Sequence, residues 1–247
     1  MSMWTRRALI ASGLLAAGGV RANDALTGGD PLGSMQWPGM RRQYLGDAPM
    51  RFAPEVVVQG PRFADDALNV PLMVDARAVA AQGIQRIRVV VDRNPVREVL
   101  DFEPLRSLPM LAFRIRMEQA SPVRALVLTR DGRWHVGSTW VQAAGGGCTV
   151  PGVTRADGSW TRTLNQVQAR LFDNVLDGSR RLRLRVMHPM DTGLVAGIPA
   201  FFIERLELAD GAGQPWWRIA LHEPVSENPL ITIELPGSAR GGMRLSG

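Results

Sequence analysis

The sequence predicts an all-β protein: two β-sandwich domains joined by a Gly-rich, cysteine-bearing linker and preceded by a cleaved leader. Three observations point there. Short apolar or alternating runs recur throughout, bounded by Gly, Pro, Asp and Asn, and no long helical period interrupts them. Three consecutive glycines, Gly145-Gly146-Gly147, divide these runs into two blocks. A length of 247 residues allows one or two domains, each with its own core.

The segment Ser34 to Gly46 places Trp37, Met40 and Tyr44 at helical spacing and predicts a short helix, weakened by Pro38-Gly39. Strands are then expected at Val56–Val58, Leu68–Val74, Ile84–Asp92, Val99–Phe102, Leu111–Met117 and Val123–Thr129. In Phe113-Arg114-Ile115-Arg116-Met117 a period of two directs the apolar side chains inward and both arginines outward. Arg130-Asp131-Gly132-Arg133 reads as a hairpin turn into Trp134-His135-Val136. After the glycines come Leu182–Val186, Ala200–Leu208, Trp216–Leu221 and Leu230–Leu235, with Asp210-Gly211-Ala212-Gly213 as a turn. The expected boundaries are 1–22 for the leader, 23–144 for the first sandwich with its helical segment, 145–163 for the cysteine arm and linker, and 164–247 for the second sandwich.

Charge excludes less than it first suggests. The formal net charge is +6, yet every one of the 29 basic residues is arginine. Removing Arg6, Arg7 and Arg21 with the leader lowers the charge to about +3. Arginine alternates with Asp and Glu through the remainder without a basic block, so nucleic-acid binding is not expected. The leader itself joins Arg6-Arg7 to an apolar run, Ala8–Val20, and a small-residue cleavage site, Val20-Arg21-Ala22, before Asn23. About 20 apolar residues are needed to span a bilayer, so the run predicts export to the periplasm and not stable membrane insertion.

Cys148 is the single cysteine, which excludes an internal disulfide, a Cys-x-x-Cys redox centre and a four-cysteine zinc site. A lone cysteine is commonly a small buried hydrophobe. Here Gly145, Gly146 and Gly147 offer no apolar side chain to hold it, and their conformational freedom predicts a flexible arm with an exposed, functional thiol. Such a thiol forms a mixed disulfide, holds a sulfur adduct or takes a reversible oxidation cap.

The residues around it resemble a known family. Gly145-Gly146-Gly147-Cys148 is similar to the glycine-flanked cysteine arm of the sulfur-carrier subunit SoxY, and Ala53-Pro54 with Ala64–Leu72 is similar to that subunit's early strands. His188-Pro189-Met190-Asp191-Thr192-Gly193, Gly197–Ile203 and Pro224-Val225-Ser226-Glu227-Asn228-Pro229 are similar to its partner SoxZ. Their order in one chain resembles the fused SoxYZ-like carriers associated with quinoprotein dehydrogenases. The resemblance implies immunoglobulin-like sandwiches, a periplasmic address, and covalent attachment of a sulfur-containing intermediate to Cys148. It also implies periplasmic redox enzymes as partners, among them a quinoprotein (PQQ) dehydrogenase and its cytochrome. In the separate carrier subunit the cysteine lies near the chain end; here Thr149-Val150-Pro151 follows it, so the arm is tied at both ends.

Other chemistry is sparse. His135 and His222 read as packing or hairpin residues. His188, flanked by Met187 and Met190, makes a soft-metal site with Cys148 the rival to a simple turn, and the turn is the expected reading. Asp65-Asp66 has no acid–base partner in sequence, and no nucleophile elbow, dinucleotide loop or zincin motif occurs. The expectation is a non-catalytic carrier without cofactor or metal. Its rival is a non-covalent adaptor for a quinoprotein dehydrogenase, in which Cys148 is incidental.

Overall fold

The computed structural model describes residues 26–247, so the expected leader lies outside the described residues. Helix α1 (Trp37–Leu45) forms where predicted, with Pro38 supplying a helical φ in its first turn and Gly46, at φ +60°, ending it. The strands are β1 (Met50–Phe52), β2 (Val57–Gln59), β3 (Phe63–Ala64), β4 (Val70–Asp75), β5 (Ile84–Val91), β6 (Glu98–Glu103), β7 (Met110–Ile115), β8 (Ser121–Thr129) and β9 (Trp134–Ala143). Two single-turn helices follow, α2 (Val153–Ala156) and α3 (Trp160–Thr163). Then come β10 (Val167–Asp173), β11 (Arg180–Val186), β12 (Arg205–Asp210), β13 (Pro215–Leu221), β14 (Leu230–Leu235) and β15 (Met243–Ser246).

These strands make two sheets, and both sheets take strands from both halves of the chain. The first runs β1-β9-β8-β5-β6-β13-β12-β15, with β3 against β9; the second runs β10-β11-β14-β7-β4-β2. The two expected sandwiches therefore share both sheets rather than meeting through the linker alone. Antiparallel pairing of β6 with β13 and of β7 with β14 carries each sheet across the glycine segment. One apolar cluster fills the space between the sheets, from Val70, Val89 and Phe102 in the first half to Leu184, Trp217 and Ile231 in the second. The backbone bonds at β6–β13 and β7–β14 and this shared core make the halves interdependent.

Strand β8 shows why its sequence reads as an unbroken apolar run. Val123, Ala125 and Val127 face the inter-sheet core, while Leu126 faces a second cluster under α1 with Trp37, Met40, Val90 and Val136. Both faces are covered, so neither needs polar residues. The exception is Arg124, fully buried on the α1 side and bonded to Asp30 at 2.6 Å and to Asp92 at 2.7 Å. The Trp37 ring stacks 4.5 Å from its guanidinium.

The sequence reading missed β1, β3, β10 and β15. The first two are short edge pairings with β9. Strand β10 lies at a sheet edge with little of either face buried, and it therefore lacks the apolar alternation that marks a covered strand.

Candidate functional site

Cys148 sits where β9 leaves the first sheet, and the backbone before it is held tightly. Gly145 and Gly146 adopt φ of +99° and +76°. Gly146 and Gly147 donate their N–H groups to the carbonyls of Glu118 and Met117, each at 3.0 Å. At Gly147 the chain passes so close to Ala67 that a Cβ would overlap the Ala67 carbonyl and sit 2.8 Å from that of Met117. Glycine is needed here for left-handed backbone and close approach. The expected flexible arm at Gly145, Gly146 and Gly147 is thus corrected to a pinned turn.

The expected exposure of Cys148 is corrected with it: the residue is 1% exposed. Its N–H donates to Glu118 Oε2 at 3.1 Å, and the Thr149 hydroxyl donates to the same carboxylate at 3.2 Å. Its carbonyl accepts the Thr192 hydroxyl at 2.7 Å. Burial, with the Glu118 carboxylate beside it, pushes the Cys148 thiol up to about 12, and Arg116 pulls the other way. The resting state shown here holds a protonated, shielded thiol.

Arg116 is the residue that sequence reasoning placed wrongly. The period of two puts it outward with Arg114, but it lies just beyond the end of β7, where the second half of the chain covers it, and it is 1% exposed. Its guanidinium donates to the carbonyls of Val150 at 3.2 Å, Pro189 at 3.2 Å and Met190 at 3.3 Å, and its Nε has no partner. Burial pulls its affinity for the proton down, opposed by Glu227, Cys148 and Asp191. A buried cation bonded to carbonyls rather than a carboxylate thus lies near the thiol, where its pull is outweighed by burial and by the Glu118 carboxylate.

The three C-terminal motifs converge on the same place. From the first, Thr192 holds Cys148, and Asp191 accepts Arg155 Nε at 2.8 Å. His188 Nδ1 accepts the Met190 N–H at 3.1 Å, and burial lowers its pKa to about 4. From the second, Phe201 packs its ring 4.5 Å from that of His188. From the third, Glu227 accepts the Thr154 N–H at 3.3 Å, and Ser226 donates its hydroxyl to the Leu68 carbonyl at 2.6 Å. Desolvation raises the Glu227 carboxyl above the ordinary range. Gly152 passes so near Glu227 that a Cβ there would overlap the carboxylate.

The remaining candidates lie apart from this cluster or serve the backbone. Met190 Sδ accepts the Ile203 N–H at 3.4 Å, and no group of three metal-binding side chains occurs among the described residues. His135 is buried in the α1-side sheet, with both ring nitrogens lacking a partner, and His222 lies 3.5 Å from Glu98. Asp66 caps its own turn through the Leu68 N–H at 2.9 Å. Among the described residues no helix is long and apolar enough to cross a membrane.

The family match among the comparisons with known proteins falls on the N-terminal part of the chain. No curated protein matches the chain. Among solved structures, the sulfur carrier protein SoxY from Chlorobium limicola f thiosulfatophilum is similar at 19% identity and a TM-score of 0.39, over 44% of this chain and 96% of that one. A protein described as membrane anchored from Corynebacterium diphtheriae is similar at 9% identity and a TM-score of 0.27, over 81% of this chain and 54% of that one. Residues 41–148, from within α1 to the buried cysteine, match the family described as Sulfur oxidation protein SoxY.

Proposed function

We propose that the chain is a non-catalytic carrier that holds a sulfur-containing intermediate covalently on Cys148 and presents it to partner redox enzymes in the periplasm. The observation that supports this reading best is where the family match ends: residues 41–148 stop on Cys148 itself. The second half of the chain then closes over the cysteine: Thr192 holds its carbonyl, and Asp191 and Glu227 flank the neighbouring Arg116. Such a closure gives a fused carrier a built-in cover for its thiol. A quinoprotein dehydrogenase and its cytochrome are the partners this reading favours.

Burial of the thiol adds a step to the carrier cycle. The turn at 148–149 must leave its acceptor, Glu118, and its donor, the Thr192 hydroxyl, before the thiol meets a partner. The neutral bond from the Thr192 hydroxyl contributes about 1 kcal/mol net and the two to the Glu118 carboxylate about 1.5–3 kcal/mol each, a total that a docking partner can offset to open the latch. Once released, the thiol regains the solvation that its anion needs.

The experiment is mass spectrometry of Cys148 in protein taken from the periplasm, paired with a Cys148→Ser chain in a partner-dependent sulfur-oxidation assay. The carrier reading expects a heavier adduct that a reductant removes, and loss of activity in Cys148→Ser. Unmodified cysteine together with full activity of Cys148→Ser overturns it in favour of a non-covalent adaptor.

A further inference from the structure

The outer face of the second sheet carries four arginines without a partner. Pairing of β10 with β11 sets Arg170 directly opposite Arg183 and Gln168 opposite Arg185, while Arg114 reaches the same face from β7. Like charges directly opposite one another destabilise a sheet. Acids are supplied to other arginines of this hairpin: Arg180 bonds Asp173 of β10 at 2.7 Å, and Arg181 bonds Glu234 of β14 at 2.6 Å. Among the described residues, Arg114, Arg170, Arg183 and Arg185 form no ion pair and donate no side-chain hydrogen bond.

These four arginines line a groove of about 560 Å³, with Phe172 and Leu230 also in its wall. Through Phe172, Arg183 and Leu230 the groove continues into a shallower one of about 850 Å³ over Met73, Met110 and Ala112. Leu176, at the β10–β11 turn, stands 93% exposed on its rim. The carboxylates of Asp66 and Glu227 also line the groove, and Glu227 accepts the Thr154 N–H.

We propose that this face docks an acidic segment of a partner protein, one bearing carboxylates interspersed with aromatic or aliphatic side chains. Guanidinium forks match carboxylates bidentately, and Arg, Met and aromatic residues are the side chains enriched in protein interfaces. Strands lie about 4.8 Å apart, so four guanidiniums spread over three strands are too widely set for one small oxoanion. The apolar floor of Met73, Met110, Phe172 and Leu230 suits side chains and offers nothing to a free anion. A segment seated here meets Glu227, which holds the chain that follows Cys148 through the Thr154 N–H. The docking surface goes beyond the carrier reading and stands whether or not Cys148 bears a cargo.

The test is fluorescence anisotropy with a labelled peptide of glutamates interrupted by phenylalanines, titrated with the full chain and with an Arg170→Glu, Arg183→Glu double variant. Both residues are exposed, and the double change exchanges one like-charge pair for another, Glu opposite Glu in place of Arg opposite Arg, so the fold stays intact, which a melting curve monitors. The expected result is saturable binding that weakens with salt and falls about tenfold in the double variant. An Arg114→Glu chain, changed on a separate strand, gives the same direction if the double variant is poorly folded. The proposal is overturned by absence of peptide binding, by equal binding in the variants, by inorganic sulfate binding alone, by binding of a single-stranded oligonucleotide in the peptide's place, or by a chain that dimerises through this face in sedimentation. Adduct analysis at Cys148 reads the carrier reading separately.

Discussion

The Thr192 hydroxyl donates to the Cys148 carbonyl at 2.7 Å, so the backbone of the cysteine is tied to the opposite half of the chain. Glu118 ties it to its own half through the Cys148 N–H. The thiol is thus closed between two parts of the molecule that are sequentially distant, and opening requires separating the turn from both. Thr192→Val removes one tie while keeping the side chain's volume. It should cost about 1 kcal/mol in the closed state and speed native alkylation of Cys148 roughly fivefold. An unchanged alkylation rate in Thr192→Val would show that another contact limits opening.

Alkylation of the native protein should be slow and strongly pH-dependent. With the thiol pushed up to about 12, its reactive anion grows about tenfold per pH unit across the whole neutral and mildly alkaline range. A denatured control should level off near the ordinary cysteine value of about 8.5. A native profile with the same plateau as the denatured one would place the thiol in solvent and remove the latch.

Gly147→Ala tests the close approach to Ala67. The added Cβ would overlap a carbonyl held by the Met117 N–H at 2.8 Å, so the turn must shift. The expected cost is about 2–4 kcal/mol, seen as a lower unfolding midpoint, together with faster labelling of Cys148. A neutral substitution would mean that the turn moves freely, as an arm would.

His188 should make the protein acid-sensitive. Burial holds its folded pKa at about 4, below the ordinary value near 6.5, so between these values the unfolded chain binds the extra proton and the native state does not. Stability is complete above about pH 6.5 and falls as pH drops toward 4, by roughly 2–3 kcal/mol. Protonation at Nδ1 also breaks the bond from the Met190 N–H. His188→Gln should flatten this window in chemical denaturation measured at several pH values; an unchanged slope would assign the acid sensitivity elsewhere.

Arg124 should be the most costly side chain to remove in the first sheet. It is bonded to two carboxylates at full burial, and Arg124→Met leaves Asp30 and Asp92 without their shared cation. A loss of about 3–5 kcal/mol is expected, with release of the segment around Trp37, read as an increase in Trp accessibility to a quencher. Retained stability would mean that the carboxylates find water or protons cheaply.

The sequence alone determined the all-β class, α1 and most strands, because covered strands such as β5 and β11 leave a period of two that only burial of one face produces. Leu182, Leu184 and Val186 against Arg181, Arg183 and Arg185 is the clearest case. It also singled out Cys148 and the motifs around His188, Phe201 and Glu227, which tertiary structure brings to one place. Only the fold decided what those residues do together. Triglycine reads in sequence as a tether, but the same missing Cβ also permits a tight turn, and the carbonyl of Ala67, far away in sequence, selects the turn. Strand alternation places Arg116 outward, and the second half of the chain buries it; pairing of β6 with β13 and β7 with β14 is the long-range event that local pattern cannot encode.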